Sequence, residues 1–165
     1  MGRVKRVRPA ALLCAALYGD HALKEEALSA AEEVFGPVAL RQDPFPFDHT
    51  GYYASEMGAP LHKHIVVFER LLPPADLAEA KLIANHLEAG FTREGRRRVN
   101  LDPGLLELGR VVLASTKDCA HRIYLGKGIF GEVTLLYQKG GYQPLPWTYP
   151  DWRAPENLDF LNSAR

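Results

Sequence analysis

Two apolar, β-prone runs, each followed closely by an amphipathic helical stretch, constrain the fold of this chain more than any other feature. The first, AALLCAALY over residues 10–18, offers no charged position to turn toward water and reads as a strand buried on both faces. Gly19-Asp20 then opens a helix. From Ala22 to Phe35 the apolar positions Ala22, Leu23, Ala27, Ala30, Ala31 and Val34 recur at helical spacing, and Gly36-Pro37 ends the run. The second strand-like run, HKHIVVFER over residues 62–70, is β-branched and apolar on both faces at Ile65 to Phe68. Pro73-Pro74 begins a second helix over 75–88, whose stripe is Leu77, Ala80, Ile83, Ala84 and Leu87, with Gly90 just past its end.

Shorter elements fill the gaps. Val38 to Leu40 is expected as a short strand, and QDPFPFDHTG as a loop, because Pro44 and Pro46 each remove a backbone donor. Tyr52 to Met57 and Arg96 to Leu101 are expected as strands. The order strand, helix, strand, strand, helix, strand predicts an α+β fold, with a ferredoxin-like βαββαβ core in which two helices cover one face of a mainly antiparallel sheet. Residues 105–137 should extend that sheet through a C-terminal β-hairpin. The proline- and aromatic-rich tail, QPLPWTYPDWRAPENLDFLNSAR, should lie extended across the body before a short helix near Glu156 to Asn162. A chain of 165 residues fits one domain.

Composition excludes several classes. Twenty Lys and Arg balance twenty Asp and Glu, so no global field favours nucleic acid. Arg3, Lys5, Arg6 and Arg8 before residues 10–18 loosely mimic a secretory signal. The apolar run is short, however, and no A-x-A-like site follows it, so a buried first strand is the better reading. Nothing approaches the ~20 apolar residues of a membrane span, and a cytoplasmic location is expected. Cys14 and Cys119 lie far apart in apolar stretches and read as small buried hydrophobes in a reducing compartment rather than as a disulfide.

Chargeable residues concentrate in 99–137. HRIYL-GKG-IFGEVTLLY reads as a hairpin with a three-residue loop, Gly126 to Gly128, pairing Leu125 with Ile129 and Arg122 with Glu132. That register puts His121, Ile123, Leu125, Ile129, Val133 and Leu135 on a core face. Arg122, Tyr124, Phe130, Glu132 and Thr134 then share a wet face, where Glu132 could hold an anion-orienting arginine. Asp102-Pro103-Gly104 reads as a helix start, with Asp102 as cap and Pro103 in the first position. Ser115-Thr116-Lys117-Asp118 has the wrong spacing for a guanine-specificity motif, and with no G-x-x-x-x-G-K-[ST] loop a P-loop GTPase is excluded. His62-x-His64 on a strand could offer two metal ligands, yet nothing in the sequence completes the set, so no metal is expected. The Arg93 to Arg98 cluster reads as a solvated turn.

The blocks FDHTGYYASEMG, GRRRVNLDPG, LASTKD, HRIYLGKGIFGEVTL and PLPWTYPDW together resemble a prokaryotic family catalogued as domain of unknown function number 4416, nearly from Ala10 to Asn162. The resemblance implies a soluble protein of similar length and brings no established activity with it. Matching positions include Asp48, Tyr52, Tyr53, Asn100, Asp102, Lys117, Arg122, Tyr124, Glu132 and Thr134.

The residues name no reaction and no cofactor. The leading expectation is a domain that binds a small anionic ligand, phosphorylated or nucleotide-like. Lys117 and Arg122 would hold the anion, and Asp102 or Glu132 would serve as acid or base. Tyr52, Tyr53 and Tyr124 would form walls, with Asp48, Asn100 and Thr134 as further contacts. Two other readings are an RNA-binding module stacking bases on Tyr124 and Phe130, and an assembly partner docking through the aromatic tail.

Overall fold

Because β1, Ala10–Tyr18, is apolar along its length, it must be covered on both sides, and the rest of the chain is arranged around that need. A computed structural model describes residues 2–165, with β1 central in one antiparallel sheet. It is followed by α1 (His21–Phe35), β2 (Val38–Arg41), β3 (Phe45–Pro46), α2 (Ala54–Met57), β4 (His62–Leu72), a 3-10 turn (Pro74–Asp76) and α3 (Leu77–Gly90). Then come β5 (Val99–Glu107), β6 (Arg110–Ser115), β7 (Ile123–Gly126), β8 (Ile129–Gln138), β9 (Gly141–Pro144), α4 (Pro150–Arg153) and α5 (Pro155–Ala164). The strand order is β2-β4-β1-β5-β6-β8-β7, with β3 beside β4 and β9 beside β8.

Alternation along β1 divides the core in two. Leu12, Cys14, Ala16 and Tyr18 pack under α1 and α3, against Ala27, Leu28, Ala31, Ala80 and Ala84. Leu13 and Ala15 face the other way, against Ile65, Val67, Val111, Leu135 and the tail residues Tyr142, Trp152 and Leu161. Asp20 caps α1, its carboxylate accepting the Ala22 and Leu23 N–H groups at 2.9 and 3.3 Å. Cys14 is fully buried, which pushes its thiol up to about 12, so it acts as a small apolar side chain.

Several expectations are corrected. The Asp102-Pro103-Gly104 stretch starts no helix. It lies inside β5, paired with β1 as Ala15↔Asp102, Cys14↔Pro103 and Leu13↔Gly104. Its glycine serves close packing rather than a turn, since a Cβ at Gly104 would come within 2.7 Å of the Val112 carbonyl oxygen and of the Leu113 side chain. Residues 52–57 form the short helix α2 and not a strand. The tail is not simply extended: it adds β9 and folds into α4 and α5, with Trp152 only 2% exposed. Trp147 and Tyr149 of the same tail remain exposed.

The hairpin keeps the expected register at Ile123↔Gly131 and Tyr124↔Phe130, but Leu125 bulges and Gly126 pairs with Ile129. The loop is therefore two residues, Lys127-Gly128, both at positive φ as that turn requires. The bulge absorbs the residue that would otherwise have exchanged the faces. Burial is also reversed: Ile123, Tyr124 and Leu125 are exposed at the sheet edge, while Glu132 and Thr134 are buried. The wet ion pair is a buried one.

His62 and His64 share the α1 side of β4. His64 is 4% exposed and neither ring nitrogen has a hydrogen-bond partner. Burial first, then Lys24 and Arg41, lower its pKa to about 4, against opposing pulls from Glu25 and Asp43. Between its ordinary pKa and that value, the unfolded chain takes up a proton that the folded chain refuses. Stability should therefore fall as pH drops from about 6.5 toward about 4, by on the order of 3 kcal/mol from this residue. Urea unfolding of His64→Leu between about pH 7 and pH 4.5 should show a shallower decline than the parent. Parallel declines would remove His64 as the cause.

Candidate functional site

The cleft of this protein is a fork in its sheet. β5 and β6 are joined by a two-residue turn, so their flanking pair, Glu107 and Arg110, sets which residues face across the ladder. Counting back by twos, Leu105 and then Pro103 face β6, and Pro103 has no N–H to give. The β5–β6 pairing stops at Gly104↔Leu113. Beyond that point β5 stays with β1 back to Tyr18↔Val99, while β6 stays with β8 out to Ser115↔Phe130. Asn100 and Asp102 are on one prong. Ser115 lies on the other, and Glu132 stands beside it on β8. A cavity of about 610 Å³ opens between the prongs, closed by the 47–53 loop, α3 and α4.

The β5 wall is a closed ring of charge. Lys81 of α3 donates to the Leu101 carbonyl at 2.7 Å and to Asp102 Oδ1 at 3.0 Å. Asn100 Nδ2 donates to Asp102 Oδ2 at 2.8 Å, and Asn100 Oδ1 accepts from Arg97 Nη1 at 2.9 Å. Arg97 Nη1 also reaches Glu88 Oε2 at 3.3 Å, and Glu88 Oε1 lies 3.6 Å from Lys81 Nζ, which completes the circuit. Glu56 of α2 grips Arg97 in bidentate fashion, both bonds 2.8 Å. Burial pushes the Asp102 carboxyl up, but Lys81 and Lys63 outweigh it and hold the group below the usual range. Burial lowers Lys81, yet Asp102 and Glu88 more than restore it. Glu88, by contrast, is raised, because burial exceeds the pull of Lys81. Asp102 is therefore the ionised carboxylate of this wall that reaches the cavity, with 31% of its side chain exposed.

The opposite wall centres on Glu132, 2% exposed. Its Oε2 meets both Arg122 Nε and His121 Nε2 at 2.9 Å, and the His121 ring stacks on Trp147. Arg122 Nη1 donates to Ser115 Oγ at 2.8 Å and to the Lys117 carbonyl at 3.0 Å. The Arg122 Nη2 group has no protein acceptor among the described residues. Lys117 makes no ion pair among them either; its ammonium lies 4.1 Å from the Tyr52 ring centre. A third pair crosses the floor, where buried Lys63 of β4 bonds Asp151 of α4 between the rings of Phe47 and Trp152.

Of the residues expected from sequence, Asn100, Asp102, Lys117, Arg122, Glu132, Tyr52 and Tyr53 line this one cavity. Asp48, Tyr124 and Thr134 do not. Asp48 is exposed beside His49, Tyr124 lies outside on β7 with its hydroxyl accepting the Gly128 N–H, and Thr134 is buried beneath Glu132. His121, expected toward the core, instead shares the Glu132 carboxylate with Arg122. Among the described residues no group of three or more His, Cys, Asp or Glu is placed to hold a metal ion.

Sequence reasoning missed Lys63, Lys81, Glu88 and Arg97. The signals were present. Lys63 alternates with Ile65 and Val67 on a buried face, and Lys81 and Glu88 are seven apart on the buried side of α3. Arg97 had no such signal, since nothing separates it from the three other arginines of 93–98 until Glu56 and Glu88 are folded around it.

Glu132→Ala should destabilise the protein by roughly 3–5 kcal/mol, because it leaves the Arg122 charge buried without its carboxylate. Glu132→Gln should cost less, as it keeps an acceptor. Chemical denaturation of both variants checks this; equal, small losses would show that the pair is not a structural anchor.

No curated protein and no solved structure matches this sequence. Residues 8–165 match the family described as Domain of unknown function (DUF4416). With that match spanning almost its whole length, and with the blocks that build the forked cleft inside it, the chain belongs to the DUF4416 family.

Proposed function

We propose that the forked cleft binds a small anionic ligand, with the anion seated between Lys117 and Arg122. One observation carries the reading. The other wall cations are engaged by carboxylates, Lys63 by Asp151, Lys81 by Asp102 and Glu88, Arg97 by Glu56 and Glu88, and Arg122 is engaged by Glu132 through Nε alone. Lys117 Nζ and Arg122 Nη2 are cationic donors with no carboxylate on them among the described residues, and both come from the segment linking β6 to β7. Glu132 fixes the Arg122 fork through Nε while Ser115 and the Lys117 carbonyl take Nη1, so the remaining edge is pre-oriented for an oxygen. A cavity of about 610 Å³ is of ligand size. Asp102 and Glu132 are the carboxylates that could exchange a proton with whatever binds. We also read residues 10–107 as a ferredoxin-like unit, supported by the order β2-β4-β1-β5 and by α1 and α3 on one face.

Lys117 is exposed, so its removal tests the site without disturbing the core. In a thermal-shift and calorimetric screen, phosphate-bearing compounds should stabilise the parent protein by mass action. Lys117→Ala should weaken their binding roughly tenfold, the equivalent of one charge-assisted hydrogen bond. Arg122→Gln should weaken it at least as much. Unchanged affinity in a folded Lys117→Ala variant would place the anion elsewhere.

A further inference from the structure

We propose that the ligand of the cleft is a phosphorylated polyhydroxy compound of the sugar phosphate class, its phosphate held by Lys117 and Arg122 and a hydroxyl group donating to Asp102. The inference rests on the anion reading given above and adds what the second wall demands.

The two walls differ in what they leave unsatisfied. On the β6–β8 side the open valences are donors, Lys117 Nζ and Arg122 Nη2. On the β5 side the polar atoms of Lys81, Arg97 and Asn100 are taken up by the Leu101 carbonyl, by Asp102, by Glu56 and Glu88, and by the Arg97–Asn100 bond. What that ring presents to the cavity is the carboxylate of Asp102. Each of its oxygens accepts one bond, from Lys81 at 3.0 Å and from Asn100 at 2.8 Å, and a carboxylate oxygen has a second lone pair to offer. A group landing there must bring a hydrogen.

The neighbouring charges decide which donor. Lys81 is bonded to Asp102, and buried Lys63 also lines the cavity. An ammonium on the ligand would meet these two cations at close range in a partly water-excluded space. A neutral hydroxyl gains the charge-assisted bond to Asp102 without that repulsion. A second anion at this wall is disfavoured by Asp102 itself. One anionic end, one hydroxyl-bearing end and a cavity of about 610 Å³ define a phosphorylated polyol or sugar.

The test compares three ligands by isothermal titration on the full chain: inorganic phosphate, a pentose or hexose phosphate, and an unbranched alkyl phosphate of the same carbon number. The sugar phosphate should bind roughly tenfold tighter than either of the others, about the worth of one hydroxyl-to-carboxylate bond. Asp102→Asn should shrink the ratio of sugar phosphate to inorganic phosphate affinity by roughly fivefold, whereas Lys117→Ala should weaken both and preserve the ratio. An alkyl phosphate as tight as the sugar phosphate, or an unmoved ratio in Asp102→Asn, overturns this inference and leaves the anion site standing. Failure of all three ligands to bind overturns the anion site as well. Should Asp102→Asn not fold, the three-ligand comparison on the parent protein decides alone.

Discussion

The parting of β5 from β6 at Pro103-Gly104 is the constraint on which the functional half of this molecule depends. Gly104 lets β6 approach closely enough for the Val112 carbonyl oxygen to lie 2.7 Å from where a Cβ would be. Pro103, one residue earlier, has no N–H to continue the ladder. Two adjacent residues thus hold the strands together on one side and release them on the other. Beyond the release point, Asn100 and Asp102 on one prong and Ser115 on the other line a cavity where the β5–β6 ladder would have continued.

Charges can be gathered in that cavity because each buried one is compensated before a ligand arrives. Burying Lys63, Lys81, Glu88 and Glu132 would be prohibitive singly. The ring through Lys81, Asp102, Asn100, Arg97 and Glu88 ties α3 to β5, and Glu56 closes it from α2. The Lys63–Asp151 pair ties the tail to β4, reinforced by Asn157, which bonds the Asp151 carbonyl and the Gln42 side chain. Structural ion pairs therefore also serve as the walls of the site. The donors left over, on Lys117 and Arg122, stand out against that background of satisfied partners.

Much of the scaffold could be read from residue order. β1 and β4 are apolar on both faces, α1 has its Asp20 cap and Gly36 stop, and the stripe of α3 is regular; each is a local signal that the tertiary structure reinforced. Failures came where a local signal had two physical explanations. Asp102-Pro103-Gly104 has the residues of a helix start, yet its proline and glycine serve a strand fork. Arg122 and Glu132 look like a wet cross-strand pair, yet the cover of Trp147 and Thr148 over β8 makes that strand an interior one.

The sequence by itself determined α1 and α3, the central strands, the hairpin pairs at Ile123 and Tyr124 and seven of the residues that meet in the cleft, because these follow from periodicity, turn chemistry and a short span of chain. Only the tertiary structure decided which charges are partners. Glu56, Lys63, Lys81, Glu88, Arg97 and Asp151 come from five separate elements and loops, and their pairing depends on where the sheet opens and the tail returns. An ion pair's strength depends on distance and on water being excluded around it, and neither is fixed until distant segments have packed.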